Sequence, residues 1–180
     1  MPDLKGSKTE KNLNEALAGE SKARVKYEFY ASKAKKEGFE QMSAIFAETS
    51  ANEKEHAKMW FKLLHGGAVA DTKTNLEDAA AGEHYETTEM YKQFAEDARA
   101  EGFEEIATLF DEVGKIEADH EKRYRKLIAN LEDGRVFKRD GVTVWKCRNC
   151  GYIHIGESAP EECPVCKHPQ AYFEISAENY

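Results

Sequence analysis

The sequence predicts a mainly α-helical protein, a four-helix bundle followed by a small domain that carries four cysteines. No proline occurs between Leu4 and Leu131, and glycines are confined to a few positions there, as is typical of long helices. All four cysteines lie between Cys147 and Cys166. The composition changes after Asp133-Gly134, so we predict one domain over residues 1–134 and a second over residues 135–180.

An internal repeat predicts that the helices come in two pairs. Glu37-Gly38-Phe39-Glu40 is repeated as Glu101-Gly102-Phe103-Glu104 at an offset of 64 residues. Upstream, Ala18-Gly19-Glu20 matches Ala81-Gly82-Glu83 at an offset of 63, so one residue was gained or lost between the two anchors. Two helix pairs built on one plan make four helices.

Each predicted helix carries acidic side chains in the stripe that should face the core. On the first helix, Glu20 lies among small and apolar residues at three-and-four spacing, the core pattern of a bundle helix. Burying one unpaired carboxylate costs several kcal/mol, so a group of carboxylates in a core needs a strongly positive partner such as a pair of divalent metal ions. The candidate residues are Glu20, Glu53, His56, Glu83, Glu86, Glu117 and His120.

The pairs Glu53-x-x-His56 and Glu117-x-x-His120 have the spacing of metal ligands, because residues three apart in a helix point the same way. One Glu from each of two helices, with Glu-x-x-His from each of the other two, is the known ligand set of ferritin-like di-metal bundles. Carboxylates that bridge two ions suit iron or manganese better than zinc. The repeat counterpart of Glu86 is Ala23, which leaves a surface or supporting role open for Glu86.

The cysteines form two knuckles, Cys147-x-x-Cys150 and Cys163-x-x-Cys166. This spacing lets four thiolates surround one metal ion tetrahedrally, and both iron and structural zinc fit such a site. Just upstream, residues 136–139 and 142–145 flank Asp140-Gly141. This pattern predicts a β-hairpin with a tight turn.

The charge argues against two classes of partner. The formal net charge is −8, and the acidic residues are spread along the chain. Binding to nucleic acid or an anionic membrane needs clustered Lys and Arg, so we expect neither partner. The first twelve residues are polar, and nowhere do eighteen apolar residues run together, so we expect a soluble, cytoplasmic protein.

Together these motifs resemble the rubrerythrin family over essentially the entire chain, with a ferritin-like bundle followed by a rubredoxin-like domain. The resemblance implies two non-haem irons on the seven bundle residues, with Glu86 as the ligand that separates rubrerythrins from simpler bundles. It also implies one iron on Cys147, Cys150, Cys163 and Cys166, a site that zinc could occupy in the isolated protein. One departure is Lys167, where free rubredoxins usually have glycine; it bears on the turn and the redox potential, not on metal binding.

The resemblance further implies a peroxidase that reduces hydrogen peroxide to water in oxidative-stress defence. Electrons would come from NADH or NADPH through a reductase and carriers such as rubredoxin or ferredoxin, and would pass from the cysteine-bound iron to the di-iron site. Tyr27 and Tyr91 would hydrogen-bond the ligand carboxylates, and Glu86 and His56 would exchange places on one iron. Iron oxidation and storage is the alternative function, and oxygen-dependent hydroxylation is a third.

The connection between the second and third helices bears on assembly. In ferritin-like bundles these helices run parallel, so the connection crosses the length of the bundle. About ten residues, from Leu64 to Thr74, would reach about 33–36 Å when extended, barely enough. We therefore predict a homodimer, with swapped and unswapped bundles both open.

Overall fold

The computed structural model describes residues 3–178. They form two compact units, one ending at Asp71 and the other beginning at Thr72. The predicted fold class, four helical segments followed by a small cysteine-rich sheet, is confirmed, whereas the domain division after Gly134 stays a prediction. The helices are α1 (Lys8–Lys36), α2 (Glu40–Leu64), α3 (Thr72–Tyr85), α4 (Tyr91–Ala100) and α5 (Glu104–Glu132), and a π-helical turn, Glu86–Met90, joins α3 to α4.

In the first unit α1 and α2 form an antiparallel hairpin. The Ser7 hydroxyl caps α1 by accepting the backbone N–H of Glu10 at 3.0 Å. Two hydroxyls on α2 bind carbonyls on α1: Ser43 Oγ donates to Ala31 O at 2.9 Å, and buried Ser50 Oγ donates to Arg24 O at 3.0 Å. Small residues at this contact let the two helices approach closely.

The repeat seen in the sequence is also a repeat of turn geometry. Gly38 between α1 and α2 has φ 85°, and Gly102 between α4 and α5 has φ 84°, a left-handed conformation that favours glycine. In each turn the following phenylalanine N–H bonds back to an alanine carbonyl, Phe39 N to Ala34 O at 2.9 Å and Phe103 N to Ala98 O at 2.8 Å. The same four-residue motif therefore ends one helix and starts the next in both units.

The π-helical turn accounts for the unequal repeat offset. The offset is 63 between Glu20 and Glu83 but 64 between Tyr27 and Tyr91, so the extra residue lies between Glu83 and Tyr91. A π turn holds one more residue than an α turn, and Glu86–Met90 lies within this interval. The third helix predicted from the sequence is therefore present but interrupted at the inserted residue.

The second unit ends in a three-stranded antiparallel sheet formed by β1 (Lys138–Cys147), β2 (Ile153–Ser158) and β3 (Phe173–Ile175), in the order β2-β1-β3. Trp145, Cys147, Cys163 and Phe173 are buried in its core together with Ala159. The indole N–H of Trp145 donates to Gly156 O at 3.0 Å. Two of the four cysteines therefore lie in this core, and Cys166 packs against it.

The predicted hairpin around Asp140-Gly141 is wrong. These two residues lie inside β1, which pairs with β2, and the register shifts between Lys138 and Thr143. The physical reason is that the strand must continue to bring Trp145 and Cys147 into the core. The Asp-Gly pair therefore forms an irregularity in one strand, as bulges do, instead of reversing the chain.

The connection between α2 and α3 is shorter than predicted. It comprises residues 65–71, because α3 begins at Thr72 and not near Thr74. Among the described residues, no helix is both long and apolar enough to cross a membrane.

Candidate metal centres

The first unit brings three of the predicted bundle ligands together. His56 Nδ1 lies 2.9 Å from Glu53 Oε2 and 3.9 Å from Glu20 Oε1. Donor atoms of all three residues lie within 4.8 Å of one another. Glu53 and His56 share a face of α2 because they are one turn apart, and the α1–α2 hairpin places Glu20 opposite them. We call Glu20, Glu53 and His56 the first donor group.

The second unit brings together the equivalent residues of the repeat. His120 Nδ1 lies 2.7 Å from Glu117 Oε2 and 3.7 Å from Glu83 Oε1. Their donor atoms also lie within 4.8 Å of one another. We call Glu83, Glu117 and His120 the second donor group. The two groups match in residue type and in their close distances.

Crowding of carboxyls is visible in the electrostatics of both groups. A hydrogen bond with Glu53, followed by burial, raises the pKa of Glu20 above its usual range. Burial, followed by the charge and hydrogen bond of Glu117, raises the pKa of Glu83. Each pair therefore favours sharing a proton. A cation bound between the carboxyls would relieve the same repulsion.

Glu86 lies close to the second donor group but outside its cluster of donor atoms. It is half-buried at the start of the π-helical turn, and its charge contributes to the raised pKa of Glu83. Burial, and then the charge of Glu86, raises the pKa of Tyr91. Tyr91 therefore lies near three carboxyls. It also packs against Phe110, as Tyr27 packs against Phe46, with ring centroids 6.0 Å and 6.2 Å apart.

Two further side chains near the donor groups, Trp60 and Glu121, were not predicted from the sequence. The buried indole N–H of Trp60 has no hydrogen-bond partner of normal geometry. Trp60 lies close enough to Glu20 to lower the pKa of that carboxyl, but Glu53 and burial raise the same pKa by more. Glu121 accepts from Arg125 Nε at 2.6 Å and lies 3.1 Å from His84 Nδ1. The adjacency of Glu121 to His120 was the only sequence signal for it.

The four cysteines converge on one point. Cys147 Sγ lies 3.7 Å from Cys166 Sγ, and Cys150 Sγ lies 3.6 Å from Cys163 Sγ. Disulfide sulfurs lie about 2.05 Å apart, whereas thiolates about 2.3 Å from one tetrahedral metal ion lie about 3.8 Å apart. The geometry therefore fits a metal site and excludes two disulfides.

The two knuckles share one backbone plan. Gly151 N donates to Cys147 O at 2.8 Å, and Lys167 N donates to Cys163 O at 3.0 Å. Gly151 has φ 79°, and Lys167, at the equivalent place, has φ 61°; a lysine there strains the turn slightly, because side chains disfavour this conformation. The backbone N–H of His168 lowers the pKa of the Cys166 thiol to about 6, which favours a thiolate at neutral pH.

Comparison with known families finds two matching regions in the chain. The family model for Rubrerythrin matches residues 11–128. The chain belongs to the rubrerythrin family. A second model, described as the rubrerythrin rubredoxin-like domain, matches residues 145–174.

Relatives within the rubrerythrin family extend over the full chain. Rubrerythrin of Nitratidesulfovibrio vulgaris is 51% identical and covers 100% of both chains. Rubrerythrin-1 of Clostridium acetobutylicum is 49% identical, again over 100% of both. Among solved structures, nigerythrin in a mixed-valence state is 31% identical over 98% of this chain and 91% of that chain, with a TM-score of 0.37.

Rubrerythrins hold two irons in a di-iron site and one iron in a rubredoxin-like site. These irons are the cofactors of this chain. The donors present fit both. Paired carboxylates and imidazoles suit iron that changes oxidation state, and four thiolates suit a single tetrahedral iron. The raised pKa values of Glu20 and Glu83 also fit sites in which a cation balances the carboxylates.

Proposed function

We propose that this protein is a non-haem di-iron peroxidase that reduces hydrogen peroxide to two waters with two electrons and two protons. With iron bound, the four cysteines would hold the iron that supplies electrons to the di-iron site. The observation that carries the proposal is that one chain holds both a four-thiolate site and two Glu-x-x-His donor groups. An iron that transfers electrons serves a peroxidase and has no use in a storage shell.

We assign the di-iron site to the two donor groups together with Glu86. When bound, the iron pair supplies the redox chemistry for cleaving the oxygen–oxygen bond. The carboxylates hold the negative charge that balances the irons, and His56 and His120 complete the two ligand sets. Glu86 provides a further carboxylate on one side only, because Ala23 occupies the matching place in the repeat.

Tyr91 is the residue we assign to proton supply and orientation at the site. Its raised pKa keeps the phenol protonated, so it can donate a hydrogen bond to Glu86 or Glu117. Tyr27 has the same place in the first unit and would support Glu20. Peroxide reduction consumes two protons, and phenols beside carboxylates provide a route for them.

The proposed function also includes a source of electrons, a division of labour between the domains, and a cellular compartment. NAD(P)H would be the ultimate source, with a reductase, rubredoxin or ferredoxin as the direct donor to the thiolate iron. Residues 135–180 would form the electron-transfer domain and residues 1–134 the di-iron domain. We further propose a cytoplasmic homodimer.

The test is an anaerobic titration of the reduced, iron-loaded protein with hydrogen peroxide, followed by thiolate-iron absorption and by metal analysis. We expect two bundle irons and one thiolate iron per chain, with two electrons consumed per peroxide. Glu117→Ala should lower the peroxidase rate at least about 100-fold, because losing a residue that only supports a metal ligand already costs about 10–100-fold. Glu55→Ala is the matched control, since Glu55 is exposed and forms a surface ion pair with Lys58.

One combined result would reject the peroxidase. It is zinc in the cysteine site of protein purified from iron-replete cells, together with peroxide consumption that proceeds only while iron is mineralised. That result would favour iron storage.

A further inference from the structure

We propose that Gly114 is a positioning residue for the reaction, because it lets Tyr91 lie close enough to α5 for the phenol to reach the carboxyls of the second donor group. The proposal rests on the proposed function, in which Tyr91 supplies protons. It adds a residue that has no functional group of its own and acts only through the space that its missing side chain leaves.

The close approach of Tyr91 to Gly114 carries the proposal. Gly114 is buried within α5, and a Cβ added to it would lie 3.3 Å from Tyr91 Cβ and 4.0 Å from Tyr91 Cγ. Carbon atoms in contact normally lie about 3.5–4.0 Å apart, so a side chain at residue 114 would have to push Tyr91 away. At Gly19 and Gly82, the glycines within α1 and α3, an added Cβ would meet no atom within 4 Å.

A hydrogen bond holds the π-helical turn against the same glycine. Thr87 Oγ1, in that turn, donates to Gly114 O at 3.3 Å. The ring of Tyr91 packs against Phe110, one turn before Gly114 on α5, with ring centroids 6.0 Å apart. Gly114 therefore contacts the π-helical turn through its carbonyl and Tyr91 through its bare Cα.

The first unit shows the alternative arrangement at the matching place in the repeat. The counterpart of Gly114 at the offset of 64 is Ser50, whose buried hydroxyl donates to Arg24 O at 3.0 Å. The counterpart of Arg24 at the offset of 63 is Thr87, so the hydroxyl has changed helices in the second unit. Residue 114 is thereby free of a side chain where Tyr91 lies against α5.

The position of Tyr91 matters because carboxyls surround it. Burial, and then the charges of Glu86, Glu117 and Glu83, raise the pKa of Tyr91, so the side chain lies near all three. Catalytic groups must be held to within about 0.5 Å, and a displacement of about 1 Å can cost about 100-fold in rate. A Cβ at residue 114 would therefore weaken the hydrogen bond from the phenol to a carboxylate.

Gly114→Ala tests the proposal, and Gly19→Ala is the matched control, since both replace a glycine within a helix but only the first meets Tyr91. In metal-free protein labelled with 3-fluorotyrosine, we expect the fluorine resonance of Tyr91, assigned with Tyr91→Phe, to shift in Gly114→Ala alone. In iron-loaded protein we expect Gly114→Ala to keep its bundle iron and to lose about 10-fold in peroxidase rate, as Tyr91→Phe does.

Combining Gly114→Ala with Tyr91→Phe separates positioning from a general effect on packing. If Gly114 acts through the phenol, the double variant is no slower than Tyr91→Phe alone. Losses that multiply in the double variant, or a Tyr91 resonance that does not shift in Gly114→Ala, would overturn the proposal.

Thr87→Val keeps the proposal testable if Gly114→Ala does not fold. It removes the hydroxyl that binds Gly114 O and keeps the shape of the side chain. We expect the Tyr91 resonance to shift and the peroxidase rate to fall, and we expect Thr87→Ser, which keeps a hydroxyl, to restore both. A valine variant with the resonance and rate of the wild type would count against the role of Gly114.

The outcomes separate this inference from the proposed function. If the wild-type protein has no peroxidase activity but the Tyr91 resonance shifts in Gly114→Ala, the proposed function fails and the placement of Tyr91 by Gly114 stands. If the wild-type protein is an active peroxidase and Gly114→Ala is equally active, the role of Gly114 fails and the proposed function stands.

Discussion

The crowded carboxyl groups of the two donor groups link the free energy of unfolding of the metal-free protein to pH. Glu20 and Glu83 each lie beside a second glutamate on the neighbouring helix and have raised pKa values in the absence of metal. Such a carboxyl binds its proton more tightly in the folded protein than in the unfolded chain. The free energy of unfolding therefore falls as pH rises from about 4.5 through the folded pKa.

We predict that the metal-free protein loses stability as pH rises from about 4.5 toward neutrality. Glu83→Gln should flatten this dependence, because the amide has no charge to bury, whereas Glu55→Gln on the exposed side of α2 should leave it unchanged. Urea unfolding at a series of pH values measures the slope. Iron-loaded protein should show the opposite slope, since metal competes with protons for the carboxylates; a metal-free protein most stable at pH 7 would contradict the assignment.

At the scale of elements, the π-helical turn is where the two repeats differ. It adds one residue between Glu83 and Tyr91 and starts at Glu86, the one proposed ligand without a counterpart. Thr87 Oγ1 donates to Gly114 O at 3.3 Å, and Thr88 Oγ1 donates to His84 O at 2.7 Å. In the proposed di-iron site, Glu86 at the start of this turn would be the ligand that has no counterpart in the repeat.

We predict that deleting Glu86 restores an uninterrupted α-helix, because the remaining spacing from Glu83 to Tyr91 equals that from Glu20 to Tyr27. Glu86→Ala should keep the π-helical turn. Both variants should lose peroxidase activity, but the deletion should have the higher free energy of unfolding, since α turns are the more stable. Amide hydrogen exchange across residues 84–91 distinguishes them, and faster exchange in the deletion variant would contradict this account.

At the scale of the whole molecule, iron binding and the proposed dimerisation would both stabilise the folded state. Metal that binds only the folded state adds RT ln(1 + [L]/Kd) to the free energy of unfolding. We predict that anaerobic removal of bundle iron lowers it by about 3 kcal/mol at free iron near 100 times Kd. The melting temperature should also rise with protein concentration, as for a dimer that dissociates on unfolding. Calorimetry at two concentrations, with and without chelator, measures both effects; a melting temperature independent of concentration would argue against the dimer.

The sequence by itself determined the helical class, the repeat, the spacing of both Glu-x-x-His pairs and the four-thiolate site. These features follow from local periodicity and residue type, which act over one or two turns. It also showed that one residue had been inserted, but not how the chain accommodates it.

Tertiary structure decided the rest. The π-helical turn holds the inserted residue, because Tyr91 must still pack closely against Gly114. A Cβ added to Gly114 would lie only 3.3 Å from Tyr91 Cβ. The Asp140-Gly141 pair lies within a strand, because Trp145 and Cys147 must enter the same core. The connection between α2 and α3 is seven residues long because α3 begins at Thr72, and its reach depends on backbone conformation, which the residue types alone leave open.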